Sequence, residues 1–258
     1  MEIRINLIEN IKSDTCCKSY NAHAFKLTFV KQTKNIMKKV VLTIIIFSFA
    51  IITIACQKAN PVENATVNMT ASLASIQQSV TLLPKEPLEE AELARILFIR
   101  EEEKLAYDVY KTMFDKYGVT VFQNVPNSEL SHMESMLTII KKYDLVDPID
   151  VNPRGIFKNS ALQELYTKLI DQGNISLLSA YQVGALIEEL DISDLNSSLA
   201  VTNNQDVRLV YDFLNKGSRN HLRSFFKNIK MLNGTYIPIY ISQSEFDSIV
   251  NSANERFW

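Results

Sequence analysis

The chain has 258 residues, 47% hydrophobic and 22% charged, and a formal net charge of −2. That near-balance hides two parts: residues 1–55 carry eight Lys and Arg against three Asp and Glu, and residues 56–258 carry nineteen against twenty-six. The acidic second part excludes the basic face that nucleic-acid binding needs, and six glycines and seven prolines are too few for a many-turned sandwich or barrel. An all-α fold is expected.

The basic first part reads as an address. Met37-Lys38-Lys39 precedes sixteen uncharged residues, Val40 to Ala55, which is a basic n-region followed by a short apolar core. Thr53-Ile54-Ala55-Cys56 resembles a bacterial lipobox, with Thr53 where leucine is usual and Cys56 as the residue to be acylated. An uncleaved membrane anchor is the alternative, although sixteen residues fall short of the roughly 20 that span a bilayer. Residues 1–36 precede the charged region and read as upstream sequence translated ahead of a start at Met37. The predicted partner is thus the membrane, through a lipid anchor at Cys56 in residues 37–55 plus cysteine. The predicted place is the bacterial cell envelope, on the outer membrane or facing the periplasm. Cys16, Cys17 and Cys56 are all the cysteines there are, so the remaining chain has neither a disulfide nor a cysteine-ligated zinc. Residues 56–86 lack aromatic residues and glycine, and are expected to be a flexible tether with transient helix around Ser72–Val80.

From Leu88 the helical period of 3.6 residues dominates. A first helix over Leu88–Tyr117 carries the stripe Ile96, Ile99, Glu103, Ala106, Tyr110, Met113 and Tyr117, and Gly118 ends it. A second helix starts at Asn127 or Ser128, either of which can cap it, with Glu129, His132, Met133, Met136, Ile139 or Ile140, and Tyr143 on one face. A long connection with a short helix at Ser160–Asp171 leads to a third, Ser176–Leu190, whose stripe is Leu178, Tyr181, Ala185, Glu188 and Ile192. A fourth covers Gln205–Leu232 with Val207, Val210, Leu214, Ser218, His221, Phe225 and Ile229 inward. Tyr236–Ile241 alternates like a short strand, and Glu245–Asn254 suits a last helix. Four long amphipathic helices with a crossover between the second and third describe a four-helix bundle over 87–232, with a small C-terminal strand and helix extension over 233–258.

Five polar residues interrupt these apolar faces: Glu103, Glu129, His132, Glu188 and His221. Singly, each has an ordinary explanation as a core histidine, a helix-terminal carboxylate or part of a solvated acidic run. Together, three buried carboxylates would be costly without a compensating cation. Carboxylate and imidazole without thiolate suit iron or manganese.

The stretches REEEKLAYDVY (100–110), SELSHM (128–133), VGALIEELDI (183–192) and KGSRNHLRSF (216–225) resemble motifs of the DUF2202 family, whose fold is ferritin-like. The resemblance implies a rubrerythrin-like di-iron pattern, with a single Glu on two helices and Glu-x-x-His on the other two. Glu103 then matches the first single Glu, Glu129 and His132 the first Glu-x-x-His, Glu188 the second single Glu, and His221 the last histidine. The position three before His221 is Ser218, so one carboxylate is missing; Glu102 or Glu189 could replace it, or the site is mononuclear. The implied function is ferrous oxidation, or reduction of oxygen or peroxide, with Tyr110 and Tyr181 on the same faces as core or electron-carrying rings. The alternative is a non-catalytic envelope lipoprotein whose bundle is structural or binds a protein partner. A homodimer is compatible with either.

Overall fold

A computed structural model describes residues 61–149 and 152–256, with side chains from residue 72 onward. The signal segment, Cys56 and residues 1–36 lie outside the described residues. Those described contain seven helices and no strand: α1 (Pro61–Leu82), α2 (Glu90–Tyr117), α3 (Thr120–Lys142), α4 (Ser160–Gly173), α5 (Leu177–Leu199), α6 (Gln205–Met231) and α7 (Gln243–Val250). The fold is all-α. Helix α2 packs on α3 and α5, and α6 packs on the same two, so α2, α3, α6 and α5 enclose one core. Helix α4 lies on α2 and α5, and α7 on α6.

The expected tether is corrected by α1. Its Ile76 and Val80, one turn apart, are completely buried against α3 and α6. Two fully buried branched side chains contribute about 1.5–3 kcal/mol each, enough to hold a polar segment that has little else to bury. Lys142 of α3 closes the end of α1, donating to the carbonyls of Val80 (2.8 Å) and Leu83 (2.9 Å) while pairing with buried Asp206 of α6 (2.6 Å). A cation at a helix C-terminus satisfies carbonyls that have no partner within the helix.

Helix α3 starts at Thr120, seven residues ahead of the expected cap at Asn127, and runs through Pro126. A proline inside a helix costs about 3 kcal/mol. Phe122 and Val125, buried in the added turns, offset that with about 1.5–3 kcal/mol each. Helix α5 likewise continues beyond Leu190 because no breaker follows and Ile192 and Leu195 are core residues. Gly118 ends α2 in the left-handed region (φ 61°), where a side chain would be strained.

The expected strand at Tyr236–Ile241 does not form. Pro238 removes a donor, no neighbouring strand is available among the described residues, and the N–H groups of Ile239, Tyr240 and Ile241 instead all donate to Glu189 Oε1. The segment is a strap fastened to α5 by one carboxylate.

Candidate metal centre

The run Glu101-Glu102-Glu103 shows how helix geometry divides one acidic sequence. Successive side chains on a helix point about 100° apart. Glu101 turns to the crossover, where it accepts the N–H groups of Lys158 (2.6 Å) and Asn159 (3.0 Å) ahead of α4. Glu103 turns to α3, where its Oε2 lies 3.0 Å from His132 Nδ1. Glu102, between them, is buried with Oε1 unpartnered. The same division separates Glu188 from Glu189: Glu188 faces the core, while Glu189 accepts Tyr236 Oη (2.6 Å) and the three strap N–H groups. Glu189 is therefore committed to the strap and does not replace a missing ligand.

The five residues expected at the site come together, all of them buried. They form two groups, Glu103–Glu129–His132 and Glu129–Glu188–His221, in each of which potential ligand atoms lie within 4.8 Å of one another. These buried clusters could hold a metal ion. Glu129 belongs to both: Oε2 is 2.9 Å from His132 Nδ1, and Oε1 is 2.8 Å from His221 Nδ1. His221 Nδ1 is also 3.4 Å from Glu188 Oε2. Spacing of three places Glu129 and His132 on one face of α3, which is why they share a partner.

Charge alone does not complete these contacts. Glu129 Oε1, Glu188 Oε2 and His221 Nδ1 are buried, close and without hydrogen-bond geometry to any partner. Burial opposes the imidazolium of His132, but Glu103 and Glu129 outweigh it and raise His132 to about 9. His221 is likewise raised well above its ordinary value: burial opposes its charge, and Glu129 and Glu188 more than compensate. Glu129, with two histidines, overcomes its own burial and is depressed. Glu103 has one histidine and the neighbouring Glu129, so burial prevails and its carboxyl is raised. Burial also lifts Glu188 to about 7, against the pull of His221.

Ser218 contributes no carboxylate; its hydroxyl donates to Leu214 O of its own helix (3.3 Å). Its neighbour Gly217 has a role that the helical stripes do not reveal. The His132 ring lies against the α6 backbone there, and any Cβ at 217 would collide with Nε2 and Cε1. A glycine inside a helix costs about 0.5–1 kcal/mol relative to alanine, which was the available signal. Tyr110 of α2 donates to Glu188 Oε1 at 2.5 Å. It also joins Phe225 and Phe122 in an aromatic wall, with ring centroids 5.1 and 6.1 Å from its own. Tyr181 stacks on Phe122 at 5.7 Å instead of reaching the carboxylates. Asp191, one turn beyond Glu188, also escaped the sequence reading: it is buried and neither oxygen has a partner.

Residues 92–253 match the family described as uncharacterized protein domain DUF2202. The chain belongs to the DUF2202 family. A relative, the uncharacterized protein MJ0754 of Methanocaldococcus jannaschii, is 41% identical over 177 residues, which is 69% of this chain and 96% of the relative. The crystal structure of the hypothetical protein MJ0754 from that organism is similar, with a TM-score of 0.66 and 42% identity, over 67% of this chain and 99% of that one. The matched DUF2202 region, 92–253, contains all five clustered residues.

Proposed function

We propose that this DUF2202 protein is a ferritin-like four-helix bundle carrying an iron or manganese centre on Glu103, Glu129, His132, Glu188 and His221. The observation that carries this reading is the state of Glu129. Each of its oxygens faces a histidine, and Glu129 Oε1 and Glu188 Oε2 lie 2.8 and 3.4 Å from His221 Nδ1 while all three buried atoms lack a hydrogen bond. Orphaned buried polar atoms are costly, and converging ligand atoms that do not bond each other fit a cation. Three carboxylates and two imidazoles without thiolate favour iron or manganese, and two groups sharing Glu129 favour two ions.

Bound iron or manganese would supply one-electron redox chemistry, serving to oxidise ferrous iron or to reduce oxygen or peroxide. The chain's own residues set the conditions for it. Carboxylates supply negative charge, which favours the more highly charged ion. Tyr110 fixes Glu188 by donating to Oε1, leaving Oε2 turned to His221. Phe122, Tyr110 and Phe225 wall off water on that side. Acylation at Cys56 would hold the protein on the bacterial envelope.

Ser218 favours a second reading, in which a bundle short of one carboxylate has lost redox chemistry and serves as a structural or partner-binding lipoprotein. Metal analysis of the full-length chain, purified without chelators, distinguishes the two. Iron or manganese is expected in wild type and lost in Glu129→Ala. A metal-free protein whose melting does not respond to added Fe²⁺ or Mn²⁺ would leave the second reading in place.

A further inference from the structure

We propose that Glu102 and Asp191 form a separate binding site for a hard divalent cation, made of carboxylate oxygen alone, beside the centre that Glu129 organises. Both residues are 1% exposed, and neither belongs to the two converged groups. Both oxygens of Asp191 and Oε1 of Glu102 lack any hydrogen-bond partner. An isolated buried carboxylate costs several kcal/mol, so two on facing helices require a proton or a cation.

No cation is among the strongest electrostatic neighbours of Asp191. Its strongest electrostatic neighbours are Glu102, Glu103, Glu188 and Glu129, all carboxylates. Arg95 acts on Glu102 but pairs with Asp194, at 3.4 Å. Contacts of Arg95 with Asp194 (3.4 Å) and of Tyr110 with Glu188 (2.5 Å) join α2 to α5 on either side of Glu102 and Asp191, which places these two at the same level of facing helices. Oxygen ligands without imidazole suit Mn²⁺, Mg²⁺ or Ca²⁺, and ferrous iron in passage, better than a transition metal that prefers nitrogen.

The site also has a way out. Glu188, Asp191 and Asp194 stand on successive turns of α5, and the Asp194 side chain is 18% exposed. This is a line of carboxylates from the centre to the surface. Its use as an entry route rests on the proposed centre; cation binding by Glu102 and Asp191 does not.

Mn²⁺ titration of the full chain, followed by calorimetry and by the electron paramagnetic resonance of free Mn²⁺, separates the possibilities. Asp191→Asn and, separately, Glu102→Gln should each bind one Mn²⁺ per chain fewer than wild type. Each removes a buried charge, so thermal melting of the metal-free variants should match or exceed wild type. The double variant His132→Ala/His221→Ala should keep the Mn²⁺ that Asp191→Asn loses. Unchanged stoichiometry in Asp191→Asn would overturn the proposal and make Asp191 a neutral buried acid. Loss of all Mn²⁺ in that variant would also overturn it, by making Asp191 a ligand of the Glu129 centre itself. If the histidine variant binds as much Mn²⁺ as wild type and Asp191→Asn removes it, the Glu129 centre fails and this site stands.

Discussion

The stability of the metal-free protein and its affinity for metal should respond to pH in opposite directions, and the magnitude follows from the site's protonation. His132 rises from 6.5 to about 9 in the folded chain. At about 1.4 kcal/mol per unit, the contacts with Glu103 and Glu129 are equivalent to about 3 kcal/mol. A folded-state value above the unfolded one means that this stability is fully present below pH 6.5 and is lost as pH rises through about 9. Glu188, raised to about 7, acts in the same direction at lower pH, and His221 adds to the loss at higher pH. The depressed Glu129 describes the same ion pairs from the other side and is not counted twice. Urea denaturation in chelator should therefore show stability falling by about 3 kcal/mol or more between pH 6 and 9.5. Metal binding needs neutral imidazole and ionised carboxylate, so Mn²⁺ displaces these protons and its affinity should climb over the same range. His132→Gln should flatten the metal-free profile. A metal-free stability that rises from pH 6 to 9.5, or Mn²⁺ affinity indifferent to pH, would refute the reasoning.

Three further substitutions probe the surrounding structure. Glu189→Ala leaves Tyr236 and three strap N–H groups without an acceptor; limited proteolysis should cut within 236–241 while bound metal per chain stays unchanged. Ile76→Ala should lower stability by about 2–4 kcal/mol in urea denaturation, because Ile76 of α1 is 1% exposed where α1 packs on α3 and α6; a change near zero would restore the tether reading. Tyr110→Phe removes the donor to Glu188 Oε1; it should cost about 1–2 kcal/mol and raise the Glu188 carboxyl further, detectable by carboxyl-carbon NMR titration.

How much of this was legible depended on whether a residue's neighbours lie on its own helix. Glu103 could be chosen over Glu101 and Glu102 because Ile99, Ala106 and Tyr110 continue its stripe, and the same logic separated Glu188 from Glu189. The roles of the neighbouring carboxylates were not legible: Glu189, expected as a possible replacement ligand, serves the strap and Glu101 the crossover, both distant in sequence. Helix α1 was read only as transient helix around Ser72–Val80 because its composition resembles a linker, and its anchorage relies on two buried side chains and on Lys142. The strap was misread because alternation reports half-burial, whereas a strand also needs a partner edge. Asp191 was passed over because the stripe was continued from Glu188 by a step of four to Ile192, and the equally helical step of three to Asp191 was not followed.

Ser218 is where the sequence departs most clearly from the pattern of paired Glu-x-x-His motifs, and it allows the site to be tested by addition instead of removal. Ser218 is 1% exposed and one turn before His221, so a glutamate there shares the histidine's face of α6. Without metal, Ser218→Glu adds a further carboxylate to a core already holding Glu103, Glu129, Glu188 and Asp191. Part of that charge can be met by the protonated His221, but the rest should cost about 2–4 kcal/mol in chelator. With metal, the same side chain is a new ligand of the native state alone, and binding adds to stability in proportion to the affinity gained. The expected result is a variant less stable than wild type in chelator, with a larger gain in melting temperature on adding Fe²⁺ or Mn²⁺. His221→Ala should show the reverse in metal, losing most of the gain. Equal melting shifts in Ser218→Glu, His221→Ala and wild type would mean that the inner faces of α3, α5 and α6 do not meet at a cation.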